Sequence, residues 1–201
     1  MATFTDAPFL TERFDQALAF AHEVHRRQLK AKRSPYIGHL LIVAGYVLES
    51  GGDEDQAIAA LLHDAAEDHG GRRMLAEIQK RFGAQVAHIV EGCTDDLREP
   101  PPPWPERKRN YVAHIAELDL PTARVLIADK LTNARGFLRA WRRDGEDVWQ
   151  NYGGGRAGRL WYYRALADAF ADAGYACPLL DELRDTVDEI ERRAAATPEP
   201  A

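Results

Sequence analysis

The chain has 201 residues, enough for one substantial domain, and its 45% hydrophobic and 29% charged residues describe a globular protein rather than a disordered or fibrous one. A formal net charge of −6 provides no basic face for bulk binding to a nucleic-acid backbone, so no nucleic acid is expected as a partner. No apolar run approaches the roughly 18 residues of a membrane span, the N-terminus lacks a basic-then-apolar secretory pattern, and Cys93 and Cys177 are the only cysteines. A protein of the reducing cytoplasm, with no membrane partner, is expected.

The hydrophobic period is helical nearly throughout. Thr11 is placed to cap a first helix reaching about Leu29, with Phe14, Leu18, Ala21, His22 and His25 on one inward face. Ser34-Pro35 reads as the cap and first turn of a second helix, Ile37 to Leu48, which ends at Gly51-Gly52 and carries His39 near its start. Asp53, with Gln56 three residues on, opens a third helix whose buried stripe is Ile58, Leu61, Leu62 and Ala65 and which closes at Gly70-Gly71.

Helices from about Arg72 to Arg81 and from Ala84 to about Cys93 follow, separated by Phe82-Gly83. Glu99 to Pro105 reads as an extended loop, because prolines lack the backbone donor and restrict the residue before them. Glu106 to Leu118 resumes as helix, and Pro121 opens another in which Val125, Leu126, Ile127, Leu131 and Ala134 surround Asp129. Trp161 to Ala171 and Leu179 to about Arg193 complete an all-α reading without a strand. Gly153-Gly154-Gly155 marks a turn, and the polar, proline-rich Thr197 to Ala201 is not expected to pack.

The run Leu61-Leu62-His63-Asp64-Ala65-Ala66-Glu67-Asp68 places four ionisable groups in what reads as a core helix. Burying such groups unpaired costs several kcal/mol each, so the pattern points to a bound cation. On a continuous helix Glu67 lies one turn beyond His63, and Asp68 one turn beyond Asp64. His39 and Asp129, each in an apolar context, complete a set of two imidazoles and two carboxylates. Such mixed ligation suits manganese, iron or zinc, and the absence of cysteine argues against a closed structural zinc site. A divalent ion there would polarise a phosphoryl oxygen and acidify a bound water, with Glu67 or Asp68 accepting the proton, which is the chemistry of phosphate-ester hydrolysis. The competing reading of an isolated His-Asp pair is a surface or capping pair.

Several ordered segments carry a resemblance. They are Ala19-Phe20-Ala21 with His25 and Gln28; Pro35-Tyr36-Ile37 and His39; and Ala60-Leu61-Leu62-His63-Asp64 with Glu67-Asp68. Phe82-Gly83, Val86, Val90, Thr94-Asp95, and Ala128-Asp129-Lys130 with Asn133 and Arg135 follow. In these segments the chain resembles the HD-domain phosphohydrolases, and more narrowly the hydrolase domain of RelA/SpoT homologues and the small alarmone hydrolases. The resemblance implies a single-domain HD-type helical bundle over residues 1–195 with a metal site between helices. It is strongest over 14–135, with C-terminal helices at 156–193 packing on that core and a disordered tail at 196–201.

Carried over to matching positions, the resemblance implies that His39, His63, Asp64 and Asp129 hold one divalent metal, usually Mn2+ in this family, and that Glu67 and Asp68 orient or deprotonate the attacking water. It implies as substrate a purine nucleotide bearing a 3′-pyrophosphate, of the ppGpp or ppApp kind, with Tyr36 and Asn133 touching the nucleoside. The family tends to carry an Arg-Lys pair before the Pro-Tyr segment, where this chain has Lys30-Ala31 followed by Lys32 and Arg33. An ammonium does not stack on a purine as a guanidinium does, so both guanine and adenine remain open as the base, with Lys30 and Lys32 as substrate contacts.

Arg107, Lys108 and Arg109 read either as contacts to the anionic substrate, Lys108 foremost, or as a solvated helix start. Lys130 reads as exposed, Arg135 as one half of an internal salt bridge, and Trp161 to Arg164 as core or as a pocket wall. His22 and His25 read as hydrogen-bonded core histidines, Cys93 as a small buried residue, and His69, His88 and His114 show no partner pattern. Two further functions fit the metal residues: an HD phosphohydrolase acting on another nucleotide or phosphate ester, and a nucleotide-binding sensor without turnover.

Overall fold

The chain folds into helices joined by short turns, and a computed structural model describes residues 9–31, 33–98 and 100–197. Two compact units meet in sequence at Thr94 and Asp95. The described residues are all-α except for one minimal hairpin. No helix among them is long and apolar enough to cross a membrane.

In the first unit α1 (Glu12–His25) starts at Thr11, whose hydroxyl accepts from the Arg13 N–H at 3.2 Å. Its buried stripe is Ala17, Ala21 and His25, in steps of four residues. His22, expected on that face, is exposed, because one residue from Ala21 turns it about 100° away. The helix stops at His25, short of Leu29, where the chain turns into β1 (Leu29–Lys30) and returns antiparallel as β2 (Ser34–Pro35). The sequence reading gave Ser34-Pro35 to a helix start. Instead Leu29 pairs with Pro35 and Lys30 with Ser34, and the Tyr36 N–H closes the hairpin on the Gln28 carbonyl at 3.0 Å. A proline is compatible with a short edge strand, which needs few of its N–H groups.

Tyr36 then leads into α2 (Ile37–Glu49), and α3 (Glu54–Leu62) opens with Asp53 accepting from the Gln56 N–H at 2.9 Å, as its capping box predicts. Every residue from Gln56 to Leu62 is buried, since α1, α2 and α6 all pack on this short helix. A helix apolar on all sides is a core helix. It does not continue to Gly70 as expected: the chain turns at His63-Asp64 and resumes as α4 (Ala65–Asp68). Asp64 has φ −92° and ψ −6°, in the sparsely allowed bridge region where many site residues sit. Next come α5 (Gly71–Phe82) and α6 (Ala84–Cys93), close to the expected bounds, with Cys93 buried.

In the second unit α7 (Trp104–His114) begins before Glu106, because a proline at the second helical position has no intrahelical N–H bond to lose. The expected loop therefore ends at Pro103. A 3-10 turn, Ile115–Glu117, follows, and then α8 (Leu120–Asp144), capped by Asp119 accepting from the Thr122 N–H at 2.9 Å. After the 3-10 segment Gly145–Asn151 come α9 (Gly155–Asp172) and α10 (Pro178–Ala196), and α10 packs on both α8 and α9. Ala196, placed in the expected tail, closes α10; residues 198–201 lie outside the described residues.

The glycine turn supports α7. A Cβ built on Gly154 would lie 2.5 Å from Cζ3 of Trp104 and one on Gly153 2.6 Å from its Cδ1, so the indole lies flush against bare backbone. Gly154 also has φ +83°. Gly174 has nearly the same backbone, φ +81°, with nothing within 4 Å of its built Cβ. Gly154→Ala and Gly174→Ala should both lose about 1–2 kcal/mol to left-handed strain, and Gly154→Ala about 1–3 kcal/mol more to overpacking. Urea unfolding checks the difference, and equal losses would show that the indole does not seat on this turn.

Candidate metal centre

The turn between α3 and α4 aims two neighbouring side chains at one point. The His63 Nδ1 lies 2.8 Å from the Ala60 carbonyl, which can only accept, so Nδ1 carries a proton and Nε2 faces the other way. Facing it at 3.0 Å is Oδ2 of Asp64. Nε2 of His39, on the first turn of α2, stands 3.5 Å from the same oxygen, and His39 and His63 offer ligand nitrogens within 4.8 Å of one another. The two rings meet edge-on at 5.3 Å, and both histidines are buried. The Tyr36 hydroxyl donates to Asp64 Oδ2 at 2.6 Å and fixes that carboxylate from the hairpin side.

This donor set fits a divalent cation. A buried ring nitrogen and a carboxylate oxygen 3.0 Å apart require positive charge between them, which a divalent ion supplies, and the Ala60 carbonyl gives the outer contact that ligating imidazoles usually have. Two imidazoles and a carboxylate suit manganese, iron or zinc.

Glu67 and Asp68 lie one turn on, both exposed on α4. Asp68 Oδ2 accepts from Nε2 of Gln28 at 2.6 Å. The Gln28 Oε1 lies 2.7 Å from His25 Nδ1 and 2.8 Å from His69 Nε2, and the two rings meet edge-on at 4.8 Å. The His25 ring also stacks on Tyr36, 5.0 Å away and 12° from parallel. His69 thus has partners that no sequence pattern indicated, because they stand about forty residues upstream, on α1 and just after it. Lys30 lies over the Tyr36 ring at 4.9 Å, with Nζ 3.4 Å from the hydroxyl. Lys32 lies outside the described residues.

In the second unit Asp129 is buried at 3% exposure on α8. Its Oδ1 accepts from Asn133 Nδ2 at 2.6 Å and its Oδ2 from Lys130 Nζ at 2.8 Å. Lys130 is therefore not the exposed residue expected of it; its ammonium also lies 4.7 Å from the Tyr111 ring. Lys108 and Arg107 both bind Asp95 Oδ2, at 2.6 and 2.9 Å, and Lys108 lies 5.1 Å from the Tyr162 ring, so this helix start is not merely solvated. Burial, and next the charge of Lys130, push the Lys108 ammonium below its ordinary range. Arg109 is exposed. Tyr162 and Tyr163 are buried, Trp161 is partly exposed, and Arg135 forms its salt bridge with Glu182. Of the ten singled-out residues that are described, His39, His63, Asp64, Tyr36, Lys30, Glu67 and Asp68 belong to the first unit and Asp129, Asn133 and Lys108 to the second.

A helical fold with a His-Asp pair at a helix break and a second buried histidine on the preceding helix is the arrangement of the HD class. Residues 17–159 match the HD domain family, and the chain belongs to it. It is similar to the guanosine-3′,5′-bis(diphosphate) 3′-pyrophosphohydrolase MESH1 of Xenopus tropicalis, 39% identical over 128 residues that make up 62% of this chain and 69% of the relative. The protein of that name from Homo sapiens is 38% identical over 128 residues, with the same shares. Among solved structures it resembles one described as a metazoan ortholog of SpoT that hydrolyzes ppGpp and plays a role in starvation responses. The TM-score is 0.70 at 26% identity, over 98% of this chain and 100% of the other.

Burial holds the His25 imidazole below its ordinary range, against the opposing hydrogen bond to Gln28. Between that lowered value and the usual value of about 6.5 the unfolded chain takes a proton that the folded chain refuses, so stability falls as pH drops through about 6.5. Unfolding free energy should be smaller near pH 5.5 than near pH 7.5, and His25→Phe should lack part of that loss. An undiminished acid loss in the variant would assign the effect to other groups.

Proposed function

We propose that this chain is a metal-dependent phosphohydrolase that removes the 3′-pyrophosphate from a purine nucleotide such as ppGpp, with the two units acting as a single hydrolase domain in the cytoplasm. The observation that carries the reading is the His63-Asp64 turn, where a ring nitrogen and a carboxylate oxygen face each other at 3.0 Å with a second buried imidazole beside them. Membership of the HD family and the names of its relatives supply the substrate class.

In this reading His39, His63, Asp64 and Asp129 hold one divalent ion, Mn2+ by preference. When bound, the ion polarises a phosphoryl oxygen and lowers the pKa of a water. Glu67 and Asp68, exposed one turn further on, orient that water and accept its proton. Tyr36 keeps the Asp64 carboxylate turned toward the imidazoles, and Asn133 fixes the Asp129 carboxylate on its own helix. Lys108 and Lys130 offset the negative charge of the leaving pyrophosphate, and Lys30, Lys32, Tyr36 and Asn133 contact the nucleotide. Lys30 already lies over Tyr36, where it presents a point charge rather than a stacking plane, so guanine and adenine should be discriminated by less than about tenfold.

The test is a substrate panel with Mn2+. One pyrophosphate should be released per guanosine 3′-pyrophosphate consumed, and the ratio of kcat/KM for guanosine and adenosine substrates should stay within about tenfold. Orthophosphate release from ordinary mononucleotides, with 3′-pyrophosphates left intact, would refute the assignment. Asp64→Ala should lose stoichiometric metal and at least about a thousandfold in kcat, whereas Glu67→Ala should keep the metal and lose most turnover. Retained metal in Asp64→Ala, measured by elemental analysis, would remove it from the ligand set.

A further inference from the structure

The Gln28 amide touches Asp68, the exposed carboxylate to which the proposed reaction gives the water proton, and it is held by two histidines that no step of that reaction uses. We propose that Gln28 is a positioning residue: fixed by His25 and His69, it holds Asp68 in the orientation from which that carboxylate acts, a role that rests on the hydrolase reading above.

The hydrogen-bond inventory fixes the amide's direction. A carboxylate only accepts, so the side of Gln28 that faces Asp68 at 2.6 Å is the NH2, and its oxygen faces the two rings. Both rings must then present N–H to that oxygen, which makes His25 the Nδ1–H tautomer and His69 the Nε2–H tautomer. For His25 this leaves Nε2 buried with no hydrogen-bond partner. A buried nitrogen without a partner costs free energy, so the fold gives up some stability to keep Nδ1–H on Gln28.

Structural need does not account for this expense. Asp68 is exposed and water could solvate it, so its ionised form requires no protein donor. What the amide adds is direction: a carboxylate on a four-residue helix loses the freedom to rotate. Fixing a proton acceptor in its reactive orientation raises kcat more than it tightens substrate. The same hairpin ties this arrangement to the metal donors. The Gln28 carbonyl accepts from the Tyr36 N–H at 3.0 Å, and the Tyr36 hydroxyl holds Asp64. Gln28 and Tyr36, at the two ends of one hairpin, therefore set the two carboxylates of the same short segment.

Three measurements test the idea, one of them independent of turnover. Ring 15N spectra of the whole protein should show His25 protonated at Nδ1 and His69 at Nε2, and Gln28→Leu should erase both preferences. The opposite tautomers in the wild type would overturn the proposal whether or not the chain is a hydrolase. With Mn2+ bound and a 3′-pyrophosphate substrate, Gln28→Leu should lose about 10–100-fold in kcat, with KM within about threefold and metal content unchanged. A wild-type kcat in a folded, metal-loaded Gln28→Leu would overturn the proposal, as would a loss of metal in step with the loss of kcat. Gln28→Glu provides the reading that a merely structural role would not give. Its carboxylate repels Asp68 when ionised, but once protonated it donates to Asp68 and accepts from both rings. Its activity relative to wild type should therefore rise as pH falls from about 8 toward 6. A ratio that stays flat across that range would count against positioning.

Discussion

The Ala60 carbonyl decides what the first unit can bind. By accepting a hydrogen bond from Nδ1–H of His63 it turns Nε2 toward the carboxylate of the very next residue. On a regular turn adjacent side chains leave in directions about 100° apart. At the turn after Leu62 the His63 ring and the Asp64 carboxylate nonetheless meet at 3.0 Å, with Asp64 in a sparsely populated backbone conformation.

A helix can be broken inside a core only if its neighbours hold both halves. The half before the break is α3, buried from Gln56 to Leu62 and enclosed by α1, α2 and α6, so its position is set by packing on every side. The half after it, α4, is one turn long and rests on α1 and α5, with Ala65 and Ala66 buried. In the proposed enzyme the alanines would serve function as much as packing. Larger side chains at these two positions would lift α4 away from its neighbours and carry Glu67 and Asp68 with it.

The helices were legible where local chemistry acts alone. The Asp53 cap with its Gln56 partner, and the Ala84 to Cys93 helix after Phe82-Gly83, follow from capping and period. Reading failed where a distant group decides. Ser34-Pro35 looks like a helix start until the Tyr36 N–H finds the Gln28 carbonyl across the hairpin. The break at His63-Asp64 leaves no composition signal, since Ala65 and Ala66 favour helix as strongly as Leu61 and Leu62 do. The candidate site residues are easier to pick out than their support: buried His39, His63 and Asp129 stand out among apolar neighbours, whereas His69 acquires meaning only beside Gln28.

The hairpin answers a problem that the helices leave open. Asp64 and Asp68 lie four residues apart across the break, so packing of α4 alone would let both carboxylates swing. Nine residues, Gln28 to Tyr36, return the chain on itself and present a donor at each end, the amide to Asp68 and the phenol to Asp64. Lys30 rides on the same hairpin and its ammonium contacts the phenol. In the proposed enzyme an anionic group drawn to Lys30 would thus bear on the element that orients a metal-binding carboxylate and a proton acceptor. In that reading Lys30 stands where recognition and chemistry would share one support, so an exchange to arginine should reach kcat as well as base preference.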